Sequence, residues 1–122
     1  MREILFRGKT TDRGEWVQGC YTETLRYNNL HWIWDGKNHF AVNTETIGQY
    51  TGLTDKNGTK IFEGDIILWG FAPCVAKYDT ENARFMFYEN GKYLKNGFNK
   101  DTMEMKEVIG NIYDNPELLG GK

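Results

Sequence analysis

Four side chains of this sequence are of the types that bind transition metals most readily. They are Cys20, His31, His39 and Cys74. Zinc sites in small proteins use close pairs of cysteines or histidines, and the spacing here contains no such pair. The one alternative is that an Asp-Gly turn at 35–36 lets the two histidines face each other across a hairpin. We expect neither a metal nor any other cofactor.

Nucleophiles and acid–base pairs give a weak signal for catalysis. The chain has no serine, and Cys74 has no histidine near it in sequence that would activate its thiol. Glu63 and Asp65 flank Gly64, where short acidic side chains commonly accept hydrogen bonds from the backbone N–H groups of a turn. No phosphate-binding or dinucleotide-binding glycine motif occurs. We therefore expect that the protein is not an enzyme.

Aromatic residues interleaved with basic ones are the one positive signal for binding. Aromatics make up 15% of the chain, which is high for so short a chain. The candidate contacts for a partner are Arg26, Tyr27, Trp32, Trp34, Trp69, Lys77 and Arg84. We also expect Lys77 and Tyr78 to neighbour Arg84 and Tyr88 across a hairpin. Bases stack on such rings, but the same rings also fill β cores and form protein interfaces.

Composition and charge set limits on the class of protein. Hydrophobic residues make up 39% and charged residues 26%, which excludes a disordered or a membrane-spanning chain. The net charge of −2 provides no basic footprint for duplex DNA. The apolar run at 4–6 is too short for a signal peptide, so we expect a cytoplasmic protein with no membrane contact. In that compartment Cys20 and Cys74 are expected to be buried free thiols.

Hydrophobic alternation predicts a succession of short strands. The predicted strands are 4–8, 16–24, 30–35, 39–43, 47–53, 75–78, 84–89, 93–94 and 107–113. The segment 61–69 is predicted to contain a tight Glu-Gly-Asp corner at 63–65 and a buried strand. Trp16, Val17 and Tyr21 are candidate core residues. Alternation places Trp32 and Trp34 on one face of their strand. Residues 115–119 have a helix-start pattern, and residues 99–107 fit either a helical turn or a loop.

Turn-forming residues between these strands form a second set of candidates, with a structural role. They are Gly48, Gly52, Asp55, Asn57, Gly58, Glu63, Gly64 and Asp65. Gly48 and Gly52 indicate a bulge or a close backbone approach. The segment 55–58 predicts a turn, and its glycine stands at the wrong position for a calcium loop.

These elements predict one all-β domain over residues 1–122. We expect a small antiparallel barrel, SH3-like or related, at 47–115. An N-terminal β-meander at 1–46 packs onto it, and a short helical turn and tail follow at 116–122.

Three stretches of the sequence together resemble a known family. They are REILFRGK at 2–9 with GEWVQG at 14–19; TIGQYTGL, DKNG and IFEGDII within 46–67; and EVIGNIYDNPELL at 107–119. In this order they resemble the YopX protein family of phages and prophages, whereas residues 19–43 and 70–105 carry little of the resemblance. It implies a mostly β protein in the cytoplasm of a bacterial host, and it implies no activity. The Gly-Asp-Ile corner at 64–66 is also similar to the start of many SH3-like barrels.

Two function hypotheses follow. The first is a non-enzymatic phage accessory protein that binds a macromolecule, with single-stranded nucleic acid or RNA as the candidate, and salt-dependent binding would support it. The second is a homo-oligomeric structural or regulatory protein that binds a host or phage protein. A stable oligomer that buries Trp32 or Trp34 would favour the second hypothesis.

Overall fold

The computed structural model describes residues 3–24, 30–69, 72–81, 83–89, 92–93 and 99–119, and nearly all of its regular structure is β-strand. The strands are β1 (Phe6–Lys9), β2 (Trp16–Thr24), β3 (Leu30–Trp34), β4 (His39–Ala41), β5 (Gly48–Thr54), β6 (Lys60–Phe62), β7 (Asp65–Trp69), β8 (Ala72–Asp79), β9 (Arg84–Glu89), β10 (Lys92–Tyr93) and β11 (Val108–Asn111). One α-helical turn, α1, covers Lys100–Met103, and 3-10 turns cover Thr44–Thr46 and Pro116–Leu119. In this part of the chain no helix is long and apolar enough to cross a membrane.

The strands form two antiparallel sheets, so the predicted all-β class is confirmed. The strand orders are β4-β3-β2-β1-β5-β6 and β10-β9-β8-β7-β11. The strands between 47 and 115 do not close into the expected barrel. The physical reason is that the chain changes sheets at the predicted corner of Glu63 and Gly64, so that β6 and β7 belong to different sheets.

The chain divides into two compact units, Met1–Tyr50 and Thr51–Lys122, and β5 passes from one to the other. The proposed single domain over 1–122 stays a prediction.

In the first unit the meander of β1 to β4 curls until its outer strands meet. Thr10 forms a β-bridge with Val42, and the Thr11 N–H donates to the Ala41 carbonyl over 2.9 Å. The inner face holds Ile33, which is fully buried, and Val42. Of the expected core residues in β2, Trp16, Val17 and Tyr21 are only half-buried. Trp16 lies on the opposite face of β2 from Tyr21, which pairs with the buried Ile33.

A glycine allows β2 to lie very close to β3. A Cβ placed on Gly19 would stand 1.9 Å from the Trp34 carbonyl oxygen, so no other residue fits there. The sequence predicted close approaches at Gly48 and Gly52 instead. Gly52 has φ of +92° and is exposed, which favours glycine for its backbone conformation rather than for space.

The core of the second unit lies on one face of the five-stranded sheet. Its buried members are Ile61, Ile67, Cys74, Ala76, Phe87 and Met103. Met103 comes from α1. Asn99 caps the start of this helix, and its side chain accepts a hydrogen bond from the Thr102 N–H. The helical turn left open at 99–107 is therefore formed, and the one predicted after Asn115 is confirmed as Pro116–Leu119. β8 is longer than the predicted strand 75–78, and Leu94 lies outside the described residues.

Buried carboxylates hold the turns of the second unit. Asp55 accepts hydrogen bonds from the N–H groups of Asn57, Thr59 and Val108, which connects the 55–59 turn to β11. Burial acts to raise the pKa of Asp55, but these hydrogen bonds outweigh it and hold the pKa below its ordinary value. Asp65 accepts from the Phe62 N–H over 2.8 Å, as predicted for this corner.

In the stretch 107–119, amide side chains rather than carboxylates accept the backbone N–H groups of the turn. Asn111 accepts from the N–H groups of Tyr113 and Asp114, and Asn115 accepts from the N–H of Asn111. A Cβ on Gly110 would stand 2.6 Å from the Asn115 side-chain oxygen, so glycine is required beside this cap.

Candidate functional site

One face of the β1–β4 meander gathers aromatic and basic side chains. Residues opposite each other in an antiparallel pair project to the same face, and alternate residues of a strand share a face. The register pairs Lys9 with Trp16, Arg7 with Gln18, Cys20 with Trp34, Thr22 with Trp32, and Trp34 with His39. We call this set the tryptophan face: Arg7, Lys9, Trp16, Gln18, Cys20, Thr22, Trp32, Trp34 and His39.

Ring contacts on the other face of the meander confirm this assignment. The rings of Phe6 and Tyr21 are 5.6 Å apart, and Tyr21 stacks on His31 at 5.8 Å. The Tyr21 hydroxyl also hydrogen-bonds with His31 Nδ1 at 2.5 Å. These residues share their face with the fully buried Ile33. The tryptophan face is therefore turned away from the core of its unit.

Two cations pack on Trp16 at one end of the tryptophan face. The Arg7 guanidinium carbon lies 4.6 Å and Lys9 Nζ 5.5 Å from the Trp16 ring centroid, both within cation–π range. Arg7 is only 9% exposed, which fixes its guanidinium against the ring. This end of the face thus places two cationic side chains against one indole ring.

No carboxylate lies on the tryptophan face within the described part of β1 to β4. Burial raises the pKa of Tyr50, and the charge of Glu3 raises it further.

The other end of the face is aromatic and partly open to solvent. Trp34 lies against His39 with ring centroids 4.6 Å apart and planes tilted by 38°. Trp32 and Trp34 are half-buried, whereas Gln18, Cys20 and His39 are exposed. From Trp16 to the position opposite Trp32, the row follows β2 for about 20 Å.

The remaining candidates from the sequence are Arg26, Tyr27, Trp69, Lys77 and Arg84. Arg26 and Tyr27 lie outside the described residues, as does the side chain of Trp69. Lys77 and Arg84 belong to the second unit.

Of the neighbours predicted across the β8–β9 hairpin, Lys77 and Tyr88 are in contact, with Lys77 Nζ 5.7 Å from the Tyr88 ring centroid. Arg84 Nε lies 3.5 Å from the Asp79 carboxylate, and Tyr78 packs edge-on against Phe85. Arg84 therefore shares its surroundings with a carboxylate.

The histidines and cysteines do not form the arrangements considered from the sequence. His39 lies opposite Trp34 and His31 contacts Tyr21, so the two histidines point to opposite faces rather than toward each other. Cys20 is exposed rather than buried, because it lies on the outer face of β2. Within the described ranges, no three His, Cys, Asp or Glu side chains could hold a metal ion together.

Cys74 is buried as expected. Burial raises the pKa of its thiol to about 11, so this cysteine is not an activated nucleophile near neutral pH.

Sequence reasoning did not include six members of the face among the partner contacts: Arg7, Lys9, Gln18, Cys20, Thr22 and His39. It also assigned Trp16 to the core. One signal was available, since alternation along WVQGCYT at 16–22 places Trp16 with the polar residues Gln18 and Thr22. The contribution of β1 depends on a register that the sequence does not state.

Comparison with known proteins gives a family and a fold. The sequence profile of the YopX protein family matches residues 5–120. Among solved structures, the crystal structure of protein EF1440 from Enterococcus faecalis matches with a TM-score of 0.62 and 24% identity, over 98% of this chain and 99% of that chain. At this identity the likeness shows the fold alone. No curated protein matches.

Proposed function

We propose that this chain, which belongs to the YopX protein family, binds single-stranded nucleic acid on its tryptophan face. The observation that carries the proposal is the juxtaposition of Trp16, Trp32 and Trp34 with two cations on one carboxylate-free sheet face. The setting that the family resemblance suggests is the cytoplasm of a bacterium that carries a phage or prophage.

Stacking supplies the first part of the argument. An unpaired base can stack on any accessible aromatic ring, and each stack contributes about 1–3 kcal/mol. Trp34 and Trp32 are two residues apart on β3, so they present their rings on the same side of one strand. Successive bases of a flexible strand could therefore occupy them in turn.

Charge supplies the second part. Phosphates of nucleotides next to those stacked bases would meet Lys9 and the Arg7–Trp16 pair at the other end of β2. A positive groove beside aromatic rings is the common plan of proteins that bind single strands without strong sequence preference. The duplex is disfavoured because two cations fall short of the extended basic footprint that it requires.

The test is a fluorescence anisotropy titration of labelled single-stranded DNA, single-stranded RNA and duplex DNA of equal length. We expect saturable binding to single strands that weakens between ~50 mM and ~200 mM salt, since binding releases counterions from the phosphates. Trp34→Ala should weaken binding about 5- to 150-fold, which corresponds to one lost stack of about 1–3 kcal/mol.

The matched control is Tyr78→Ala, because Tyr78 is an exposed aromatic on a strand of the second unit. It should leave binding unchanged. If none of the three nucleic acids binds at tens of micromolar, or if both variants lose binding equally, the proposal is wrong. Self-association through the tryptophan face would then explain the exposed rings, and sedimentation of the wild type and Trp34→Ala would show it.

A further inference from the structure

The tryptophan face has its residues at four evenly spaced levels along β2. Because β2 is one continuous strand, residues that share this face recur at every second position, about 6.6 Å apart. Each of these positions has a partner on β1 or β3 that projects to the same face. In order along the strand, the four levels are Thr22 with Trp32, Cys20 with Trp34, Gln18 with Arg7, and Trp16 with Lys9. Two levels that present tryptophans of β3 are thus followed by two that present cations of β1.

The distance between the two tryptophan levels sets the spacing of the nucleotides that stack there. If Trp32 and Trp34 each take one base, neighbouring bases lie about 6.6 Å apart, since the two residues are two positions apart on β3. That spacing is about twice the 3.4 Å rise of a stacked strand, so the bound strand is nearly extended. One nucleotide therefore advances by one level, and the four levels correspond to four nucleotides.

Lys9 lies too far from the tryptophan levels for a stacked dinucleotide to reach it. Its Nζ is 5.5 Å from the Trp16 ring centroid, which places the charge at the last level. That level is four residues of β2 away from the level of Trp34, or about 13 Å. A dinucleotide with both bases stacked has its one phosphate between Trp32 and Trp34. Only a longer strand, of three or four nucleotides, connects the stacked bases to Lys9.

We infer that the tryptophan face takes an unpaired segment of about four nucleotides as its complete ligand. The inference rests on the proposed function and names the substrate class within it, which is a short unpaired stretch of the size of a hairpin loop or a small gap. At the cationic end the row of levels stops, because the pairing of β1 with β2 ends at Lys9 and Trp16. The chain turns there, and the Gly14 N–H donates to the Thr10 carbonyl over 3.0 Å.

The experiment titrates isotope-labelled protein with unlabelled thymine oligonucleotides of two, four, six and ten nucleotides and follows the indole N–H signals by nuclear magnetic resonance. We expect the dinucleotide to shift the signals of Trp32 and Trp34, and the tetranucleotide to shift that of Trp16 as well. The signal of Trp69, in the second unit, should not move. Affinity should rise at least about tenfold from two to four nucleotides, the gain from one charge-assisted contact. From six to ten nucleotides it should rise only about twofold, the statistical gain from overlapping positions on a longer strand.

The variant that tests the order of the levels is Lys9→Met, which keeps an unbranched side chain and removes the charge. It should weaken binding of the tetranucleotide to nearly that of the dinucleotide, and it should leave dinucleotide binding unchanged because the dinucleotide does not reach Lys9. Lys77→Met is the matched control, since Lys77 Nζ lies over the Tyr88 ring in the second unit. It should leave binding of both lengths unchanged.

The outcomes separate this inference from the proposed function. Full affinity already at two nucleotides, or a steep rise that continues from six to ten, overturns the four-nucleotide site and leaves single-strand binding intact. Equal weakening of the dinucleotide and the tetranucleotide in Lys9→Met overturns the order of the levels. Absence of binding even to the ten-nucleotide strand overturns the proposed function and this inference with it.

Discussion

The turns of the second unit and the tryptophan face of the first use their polar and aromatic residues in opposite ways. Around the second unit's turns, Asp55, Asp65 and Asn111 each accept backbone N–H groups and leave little chemistry for a ligand. On the tryptophan face, Trp32 and Gln18 are turned away from the core and hold no turn together. Residues that stand out in the sequence of this chain therefore maintain the fold, whereas the candidate site is built from less conspicuous ones.

The stretches that carry the family resemblance illustrate the same difference. Gly64 has φ of +90° and packs against the Tyr113 ring, and Gly110 lies beside the Asn115 cap. Gly64 is favoured by its positive φ, and Gly110 by the Asn115 side chain that occupies the place of a Cβ. Trp32 and Trp34, in contrast, lie in a segment with little resemblance to the family.

The largest effect should come from Gly19→Ala, which would disrupt the β2–β3 pairing that supports the tryptophan face. The new Cβ would lie 1.9 Å from the Trp34 carbonyl oxygen, a backbone atom that cannot move without disrupting the β2–β3 pairing. We expect a loss of at least about 3 kcal/mol in the free energy of unfolding, measured by urea denaturation.

The matched control is Gly14→Ala. Gly14 also has a positive φ, of +66°, but nothing lies within 4 Å of its Cβ position. Its substitution should cost only about 1–2 kcal/mol for the left-handed conformation. Equal losses for the two variants would contradict the close approach of β2 and β3.

The second-largest effect should come from Asp55 and tests the role of carboxylates in the turns of the second unit. Asp55→Asn places an amide N–H against the Val108 N–H, so we expect a loss of about 2–3 kcal/mol in stability at pH 7. Because the folded-state pKa of Asp55 is lowered, its contribution is full above about pH 4 and is lost as the pH falls further through the folded-state value.

The variant should accordingly lose less stability than the wild type between pH 5 and the acid transition, as followed by urea denaturation at each pH. Asp101→Asn, at an exposed position of α1, serves as the control and should follow the wild-type profile. Nucleic-acid binding by folded Asp55→Asn should be unchanged. Loss of binding without loss of stability would place Asp55 in the binding site and contradict its purely structural role.

Local sequence was enough to predict much of the fold. The bounds of β2 and β9 match the predicted strands 16–24 and 84–89, because alternation and turn residues define both ends. Asp65 was correctly predicted to cap a turn, since the acceptor and its donor are three residues apart. These features depend on neighbours in the chain, which a sequence displays directly.

The features that were missed depend on contacts between distant segments. Gly19 is required by the backbone at Trp34, and the two cations on Trp16 come from β1, whose register with β2 the sequence does not state. The corner between β6 and β7 was predicted, but their membership of two sheets was not, because hydrophobicity does not encode it. Two residues of the candidate site, Trp32 and Trp34, were therefore visible in the sequence, and its cationic end appeared only with the strand register.

The smallest and most discriminating effect should come from Lys9→Met, paired with Lys77→Met. The two lysines have nearly the same local geometry, with Nζ 5.5 Å from the Trp16 centroid and 5.7 Å from the Tyr88 centroid. Because only Lys9 lies on the tryptophan face, its loss should reduce the slope of log affinity against log salt by about 0.7, the value for one phosphate of a single strand. Lys77→Met should leave the slope unchanged. Equal reductions would mean that single-stranded nucleic acid binds wherever a lysine packs on an aromatic ring. That outcome would contradict a specific role for the tryptophan face.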